Sequence, residues 1–161
     1  SLKVDNYSAK RFAFIVLAIL VAAATLSCKP DAQCEAEQLL ESASRLFAEK
    51  QYNKALWKID SLRKVYPTAI EVRKKALKLH QSISLQQTRE ELALTDSALQ
   101  ATIINYQYLK TKVDKDREQL RATPEELEQL TLMRIKRDSL QTCYDVQCKK
   151  IKYILKKQKE I

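Results

Sequence analysis

Apolar residues recur at steps of three and four from residue 39 onward, a spacing that predicts amphipathic helices. Two sets predict a helix pair between residues 35 and 69. The first set is Leu39, Leu40, Ala43, Leu46 and Phe47, and the second is Tyr52, Ala55, Leu56, Ile59 and Leu62. Lys50 and Gln51 separate the two sets. Tyr66 and Pro67 end the second helix, because a residue before proline is disfavoured in the helical conformation.

A long helix is predicted from Thr68 to Arg121, a stretch without proline. Its apolar positions repeat every seven residues at Leu85, Leu92, Leu99, Tyr106, Val113 and Leu120. A second helix is predicted to start at Thr123, because threonine caps a helix, Pro124 suits the first position and Glu126 completes a capping box. Its heptad seam alternates steps of three and four and is interrupted by polar residues: Leu130, Met133, Arg137, Leu140, Tyr144, Gln147, Ile151, Ile154, Gln158 and Ile161.

The turn near residues 121–124 is so short that the two helices it joins are predicted to be antiparallel. Each helix measures about 55 Å at about 1.5 Å per residue, so the chain end returns to the neighbourhood of Leu85. We therefore predict an antiparallel coiled-coil hairpin over residues 85–161. Threonine and charged residues occupy several seam positions. We accordingly expect a third helix, self-association or a partner along this hairpin.

The helical unit over residues 35–84 resembles one tetratricopeptide repeat. The matched positions are Leu39, Ala43, Leu46, Tyr52, Ala55, Ile59 and Pro67. Ser42 and Lys50 stand where the repeat usually has Leu and Gly. The segment 47–55, together with Tyr66-Pro67, is also similar to the repeats of bacterial outer-membrane assembly lipoproteins. A lone repeat leaves its apolar face open, so this unit is expected to pack on Ile70, Val72, Ala76, Leu77 and Leu79.

The first 27 residues have the layout of a secretory signal peptide: Lys10 and Arg11 precede fifteen uncharged residues, 12–26. As a helix these reach only about 22 Å, short of the ~30 Å hydrocarbon core. The segment 25–28 resembles the lipobox of bacterial lipoproteins, with Thr25 where that motif usually has Leu. The resemblance implies that Cys28 is acylated and that residues 28–34 form a short tether. The alternative is an uncleaved signal anchor with an unmodified Cys28.

Composition narrows the fold and the chemistry. The 161 residues include no glycine, where ordinary usage of about 7% would supply about eleven. Phosphate-binding loops, dinucleotide fingerprints and nucleophile elbows all need glycine, so these sites are excluded. Tight β-hairpins lose their favoured residue, and Leu, Lys, Gln, Glu and Ala favour helix. The predicted fold class is all-α.

The chain is basic, with a formal charge of +9. Without residues 1–27 it retains 26 basic and 19 acidic residues, a charge of +7. Nucleic acid is not expected as a partner, because the export signal argues against it and no reader motif occurs. The hairpin brings two basic clusters to one end: Arg73, Lys74, Lys75 and Lys78, and Lys149, Lys150, Lys156 and Lys157. One hypothesis is a patch for anionic lipid, and the alternative is a set of solubilising lysines that offset helix dipoles.

Metal and disulfide chemistry find little support. Besides Cys28, the cysteines are Cys34, Cys143 and Cys148, and His80 is the only histidine. No paired metal-ligand spacing occurs, so no metal is expected. Cys143 and Cys148 lie five residues apart on a helix and are poorly placed to bond each other. An odd number of cysteines in an oxidising compartment instead predicts a cross-link between subunits through Cys143 or Cys148.

No catalytic constellation emerges from the remaining residues. Tyr52 and Trp57 have helical spacing and are expected to pack in the core rather than to form a ligand cage. The acidic pairs Glu90-Glu91 and Glu125-Glu126 are expected on helix surfaces. His80 has no nucleophile in a recognisable setting near it in the sequence. We expect neither an enzyme nor a cofactor.

These features predict a non-catalytic envelope lipoprotein, anchored through Cys28 to the outer membrane, that acts as a scaffold or adaptor. Its expected partners are other envelope proteins, the membrane through the lipid, and a second copy through the hairpin. Two alternatives stay open. One is a periplasmic holdase-type chaperone with basic helical arms, which would suppress aggregation of unfolded clients. The other is a signal-anchored coiled-coil protein on the cytoplasmic side.

Overall fold

The computed structural model describes residues 31–161, and this part of the chain is helical without any β-strand. Its four helices are α1 (Ala32–Ala48), α2 (Tyr52–Val65), α3 (Ile70–Glu118) and α4 (Pro124–Lys159). The predicted all-α fold class is confirmed. The predicted signal peptide and Cys28 lie outside the described residues.

The helix α1 begins three residues earlier than predicted. The carboxylate of Asp31 accepts a hydrogen bond of 3.4 Å from the backbone N–H of Gln33 and caps the helix. The prediction that residues 28–34 form the tether is therefore wrong for residues 32–34, which are helical. The break at residues 49–51 and the end of α2 before Tyr66-Pro67 agree with the prediction.

The apolar core lies where α1 and α2 pack on the first third of α3. Its buried residues are Ala36, Ala43, Ala55, Ile59, Leu62, Ala69, Val72, Ala76 and Ile83. Alanine supplies both buried positions of α1 and one of the three in α2, which lets the helix backbones approach closely. The apolar face of the α1–α2 pair is thus covered by α3.

Three residues expected in the core are exposed instead. Ile70 is 61% exposed, Leu77 is 39% exposed and Trp57 is 65% exposed. At about 100° per residue, Ile70 and Leu77 lie about 200° and 140° around α3 from the buried Val72. Trp57 lies two residues from the buried Ile59 and so faces away from the core. Tyr52 does pack inward, with its ring centroid 6.1 Å from that of Phe47.

The helix α4 runs back along α3. Lys112 of α3 forms an ion pair with Glu126 near the turn. Further from the turn, the guanidinium of Arg137 lies 4.3 Å from the ring centroid of Tyr106. His80 and Lys157 line one groove near the far end. Falling residue numbers on α3 therefore meet rising numbers on α4, and the two helices are antiparallel.

The predicted seams face this contact. Nine of the ten predicted seam positions lie in α4 and are buried or half-buried, whereas the tenth, Ile161, lies beyond the end of α4 and is exposed. On α3, Leu85, Leu99 and Val113 are buried. Leu120 was expected in the seam but is 95% exposed, because α3 ends at Glu118 and Leu120 lies in the turn.

Two threonines occupy further seam positions in α3. Thr88 and Thr102 are buried, and their hydroxyls each donate a hydrogen bond of 2.7 Å to the carbonyl oxygen four residues earlier, on Ser84 and Ala98. The buried hydroxyls are thereby satisfied within their own helix and need no partner on α4.

The predicted capping box at the start of α4 is present. The Thr123 hydroxyl accepts a hydrogen bond of 3.2 Å from the Glu126 backbone N–H. The Glu126 carboxylate accepts one of 3.2 Å from the Thr123 backbone N–H. These reciprocal bonds satisfy two N–H groups that the first turn leaves open, and they fix where the chain reverses.

Two helices are followed by a residue in the left-handed backbone conformation, and neither residue is glycine. Lys50 and Leu120 have φ of 59° and 55°. The backbone N–H of Gln51 reaches the Leu46 carbonyl oxygen at 2.8 Å, and that of Arg121 reaches Asp116 at 2.7 Å. This is the Schellman arrangement, which usually places glycine at the left-handed position. A residue with a Cβ atom is strained there.

Replacing Leu120 by glycine is expected to stabilise the protein by about 0.5–1 kcal/mol. The left-handed conformation costs a non-glycine residue about 1–2 kcal/mol, and the larger unfolded-state entropy of glycine removes part of the gain. The exposed Leu120 side chain gives up little packing. Urea unfolding followed by circular dichroism measures the change.

The matched control is Gln119→Gly, at a position whose φ is −93°. Glycine relieves no strain there and is expected to lower stability. A lower unfolding midpoint for Leu120→Gly than for the unchanged chain would show that the left-handed conformation of Leu120 is not a source of strain.

Candidate functional site

One end of the molecule, here called the base, gathers the ends of several helices. The Tyr66 hydroxyl donates a hydrogen bond of 2.5 Å to the Glu35 carboxylate, which joins the end of α2 to the start of α1. The beginning of α3 follows directly, and the end of α4 returns to the same region beside Leu77. The base therefore contains the start of α1, the described helix that is nearest to Cys28 in the sequence.

A groove of about 640 Å³ runs between α3 and α4 at the base. Its lining residues are Leu77, His80, Gln81, Ser84, Lys150, Tyr153, Ile154, Lys157, Glu160 and Ile161. Tyr153 and Ile161 are 61% and 48% exposed, so apolar surface is open to solvent beside two lysines. The groove is amphiphilic.

A second, smaller hollow of about 240 Å³ adjoins this groove. It is lined by Arg63, Ile70, Arg73, Lys74 and Leu77. Because Leu77 lines both hollows, they form one continuous surface, which we call the base face. The base face combines five cationic side chains with one carboxylate, that of Glu160.

The structure divides the eight predicted patch residues into two groups. Arg73, Lys74, Lys150 and Lys157 line the base face. The other four line neither hollow: Lys75, Lys78, Lys149 and Lys156. The reason is helical phase, since a step of one or two residues turns a side chain by about 100° or 200°. A run of lysines on a helix cannot all face one surface.

The four predicted patch residues on the base face differ in their contacts. An Arg73 guanidinium nitrogen donates to the Pro67 carbonyl oxygen at 2.8 Å. Lys74 and Lys157 pair with Glu71 at 2.9 Å and Glu160 at 2.7 Å. Lys150 forms no ion pair with another residue of the described range. Its charge is available to a ligand.

A second surface lies on α3, far from the base. It is on the same side of α3 that α1 and α2 cover closer to the base. Val72, Ile83 and Leu94 are eleven residues apart, about three helical turns, and so lie on one side of α3. Val72 and Ile83 are buried under α1 and α2, whereas Leu94 is 74% exposed. Ala101, Ile104 and Tyr108 continue this side, which we call the bare stripe.

The bare stripe is apolar and lacks charge. Ile104 and Tyr108 are 67% and 74% exposed. Among the described residues, only α3 lines a concave surface of about 630 Å³ beside them, and Lys112 and Lys115 lie at its end nearer the hairpin turn. All thirteen residues from 97 to 109 are uncharged, although 30% of the chain is charged. This stripe was not predicted from the sequence, because only the seam that faces α4 was followed. The signal was the seven-residue spacing of Leu94, Ala101 and Tyr108.

A cluster of hydrogen bonds lies where α1 and α2 cease to cover α3. The Tyr52 hydroxyl donates to the Glu90 carboxylate at 2.7 Å, and the Gln86 amide donates to it at 3.1 Å. Lys50 lies 3.9 Å from the same carboxylate. The Tyr52 bond first, and then the Gln86 bond, hold the pKa of Glu90 below its ordinary value of 4.5. The same bond raises the pKa of Tyr52.

Residues 31–161 offer few side chains for metal binding or thiol chemistry. These residues contain no group of three or more His, Cys, Asp or Glu side chains that could hold a metal ion. Cys34 and Cys143 are exposed free thiols, and Cys148 is half-buried. His80 is half-buried and lines the base face.

Comparisons with family models, with curated proteins and with solved structures find no match to this chain. Among the four helices of the described range, none combines the length and the apolar character needed to cross a bilayer. The base face and the bare stripe are therefore the surfaces from which a function can be inferred.

Replacing Tyr52 by phenylalanine is expected to raise the pKa of Glu90 towards 4.5, because the variant lacks the hydroxyl that donates to the carboxylate. A lowered pKa in the folded state stabilises the fold above the ordinary pKa, and this stabilisation is lost as the pH falls through the folded-state pKa. As the pH falls from about 6 through the folded-state pKa of Glu90, the variant should therefore lose less stability than the unchanged chain.

Carbon-detected NMR titration of the Glu90 carboxyl measures the pKa, and urea unfolding at each pH measures the stability. Tyr108→Phe is the control, since Tyr108 lies on the bare stripe. An identical Glu90 titration in Tyr52→Phe and in the unchanged chain would show that the bond does not control this carboxyl.

Proposed function

We propose that this protein is a non-catalytic lipoprotein of the bacterial cell envelope that serves as a scaffold or adaptor for other envelope proteins. The bare stripe is the observation that carries the proposal. Contiguous exposed apolar surface on a soluble protein commonly marks an interaction site. Here it continues the face of α3 on which α1 and α2 already pack.

The shape and chemistry of the stripe suit a partner helix. From Leu94 to Tyr108 it extends about 21 Å along α3 at about 1.5 Å per residue. Ala98 and Ala101 are small and exposed, so a second backbone can approach closely. The neighbouring Gln100, Asn105 and Gln107 offer amide hydrogen bonds without a charge to desolvate. A partner helix would use its apolar residues as anchors in the manner of helix-in-groove recognition.

We take α1 and α2 as a tetratricopeptide-like unit, supported by the left-handed Lys50 at the position where that repeat usually has glycine. We take α3 and α4 as an antiparallel coiled coil, supported by the burial of the seam on both helices. In this description α3 belongs to both parts.

Attachment through Cys28 would set the distance of the stripe from the membrane. Cys28 precedes the Asp31 cap by three residues, which span at most about 10 Å. An acyl group on Cys28 would thus hold the base near the lipid. Leu94 and Tyr108 lie about 36 Å and 57 Å along α3 from Ile70. The stripe would then be available to proteins well away from the membrane surface.

Site-specific photo-cross-linking tests the interaction. A benzophenone side chain at position 104 is expected to give a discrete covalent adduct in living cells. Trp57 is the matched control, because it is 65% exposed against 67% for Ile104 but lies outside the stripe. Ala101→Glu, which places a charge in the stripe, is expected to abolish the adduct from position 104.

Three outcomes would contradict this proposal. The first is no adduct at position 104, and the second is equal adducts at positions 104 and 57. The third is a smear of many unrelated unfolded proteins, which would favour the holdase-type chaperone instead.

Metabolic labelling with a fatty-acid probe tests the anchor. The unchanged chain is expected to incorporate the probe and Cys28→Ala is expected to lose it, since the thiol is the acceptor. Cys34→Ala, which removes a nearby exposed thiol, should keep the label. A mature chain whose intact mass still includes residues 12–26 and no acyl group would contradict lipid attachment.

A further inference from the structure

The base face interleaves two kinds of side chain that rarely share a merely solubilising surface. Exposed apolar groups come from Ile70, Leu77, Tyr153 and Ile161. Cations come from Arg63, Arg73, Lys74, Lys150 and Lys157. Lysines that only maintain solubility would not need apolar neighbours, and apolar groups that only complete a core would be covered.

This combination suits the boundary between lipid head groups and acyl chains. There, apolar side chains enter the acyl region by about 5–10 Å while lysine and arginine contact anionic head groups. Tyrosine is favoured at this depth because its ring is apolar and its hydroxyl is polar. Tyr153 is 61% exposed and lies one helical turn from both Lys150 and Lys157. Two turns of α4 therefore place the ring between two cations.

The existing contacts of these cations leave them able to bind phosphate. Lys150 has no ion-pair partner in residues 31–161. Lys74 and Lys157 pair with glutamates three residues away on the same helix, and such exposed pairs are weak. Arg73 donates to the Pro67 carbonyl through one nitrogen and retains further N–H groups. None of the four is locked into a buried network.

A small free phosphate or an acidic peptide fits this surface less well. A phosphate ion alone would leave the apolar side chains of the face uncovered, and the two hollows are wide and open. An acidic peptide would meet apolar groups from two helices in a shallow hollow without a strand edge or a long groove to follow. A lipid surface covers the apolar and the cationic groups together.

We propose that the base face binds directly to a membrane surface rich in anionic phospholipid. Leu77, Tyr153 and Ile161 enter the head-group boundary, and Arg73, Lys74, Lys150 and Lys157 contact the phosphates. This inference deepens the proposed function, since an acyl group on Cys28 would deliver the base to the membrane. The contact would then hold α3 in one orientation instead of leaving it to swing on the anchor.

A fluorescent probe of local polarity tests the contact in the full-length chain. Cys28, Cys34, Cys143 and Cys148 are replaced by serine, and a single new cysteine carries the probe. The position is Tyr153→Cys on the base face or Tyr108→Cys on the bare stripe. Vesicles contain either phosphatidylcholine alone or phosphatidylcholine with phosphatidylglycerol. The probe at position 153 is expected to shift to the blue only with phosphatidylglycerol, and the probe at position 108 with neither.

Charge reversal identifies the residues that hold the lipid. Arg73→Glu with Lys150→Glu is expected to weaken the response at position 153 on the order of tenfold or more. Lys75→Glu with Lys78→Glu changes the net charge equally but lies off the base face, and it should change the response little. Raising the salt concentration should weaken the response because ions screen exposed charges. Circular dichroism confirms that each variant is helical.

Three results would overturn the proposal: no shift at position 153 with phosphatidylglycerol, an equal shift with both vesicles, or an equal loss from both double variants. These failures differ from a failure of the anchor. Every chain in this experiment lacks Cys28, so acylation plays no part in it. Conversely, a chain that fails to take up the fatty-acid probe could still show the shift at position 153.

Discussion

The uninterrupted helix α3 is the constraint on which the other helices depend. It spans 49 residues, about 73 Å at about 1.5 Å per residue, and it contacts every other helix of the described chain. One side carries Val72, Ala76 and Ile83 against α1 and α2, and another carries Leu85, Leu99 and Val113 along α4. Because a helix turns by a fixed angle per residue, the spacing of these two apolar sets fixes where the neighbouring helices lie. A break in α3 would separate the base from the hairpin turn.

The bare stripe follows from a mismatch in length. The helix α4 has 36 residues and accompanies α3 for most of its length, whereas α1 and α2 have 17 and 14 residues and stop near Glu90. The bond from Tyr52 to Glu90 lies at this limit. Beyond it, the side of α3 on which α1 and α2 pack keeps its apolar character, but no other helix within residues 31–161 covers it. An exposed apolar surface of this kind is compatible with a stable fold, and it favours association in water.

Signals that are local or periodic were predictable from the sequence, and signals that depend on which helix covers which face were not. The capping box involves only Thr123 and Glu126, and a seven-residue repeat reveals a seam whatever packs on it. The burial of a particular residue is different. Ile70, Leu77 and Trp57 belong to apolar sets with helical spacing. Their angular positions on their helices, however, place them on the side away from the helices that pack there. Likewise, the eight predicted basic residues form two clusters in the sequence, but their angular positions on the helices bring only four of them to the base face.

The two proposed contacts depend on different forces, and the charge along α3 separates them. Residues 70–78 carry a net charge of +3, whereas residues 97–109 carry none. Attraction of the base face to anionic lipid would weaken with added salt, because exposed charges are screened over about 10 Å at 0.1 M. Association through the bare stripe, which buries apolar groups, would persist or strengthen in salts that are excluded from protein surfaces. About 36 Å of helix separates Ile70 from Leu94, which exceeds the screening length. A charge reversal at the base should therefore leave the stripe's affinity unaltered, and so the two contacts can be assigned to their surfaces independently.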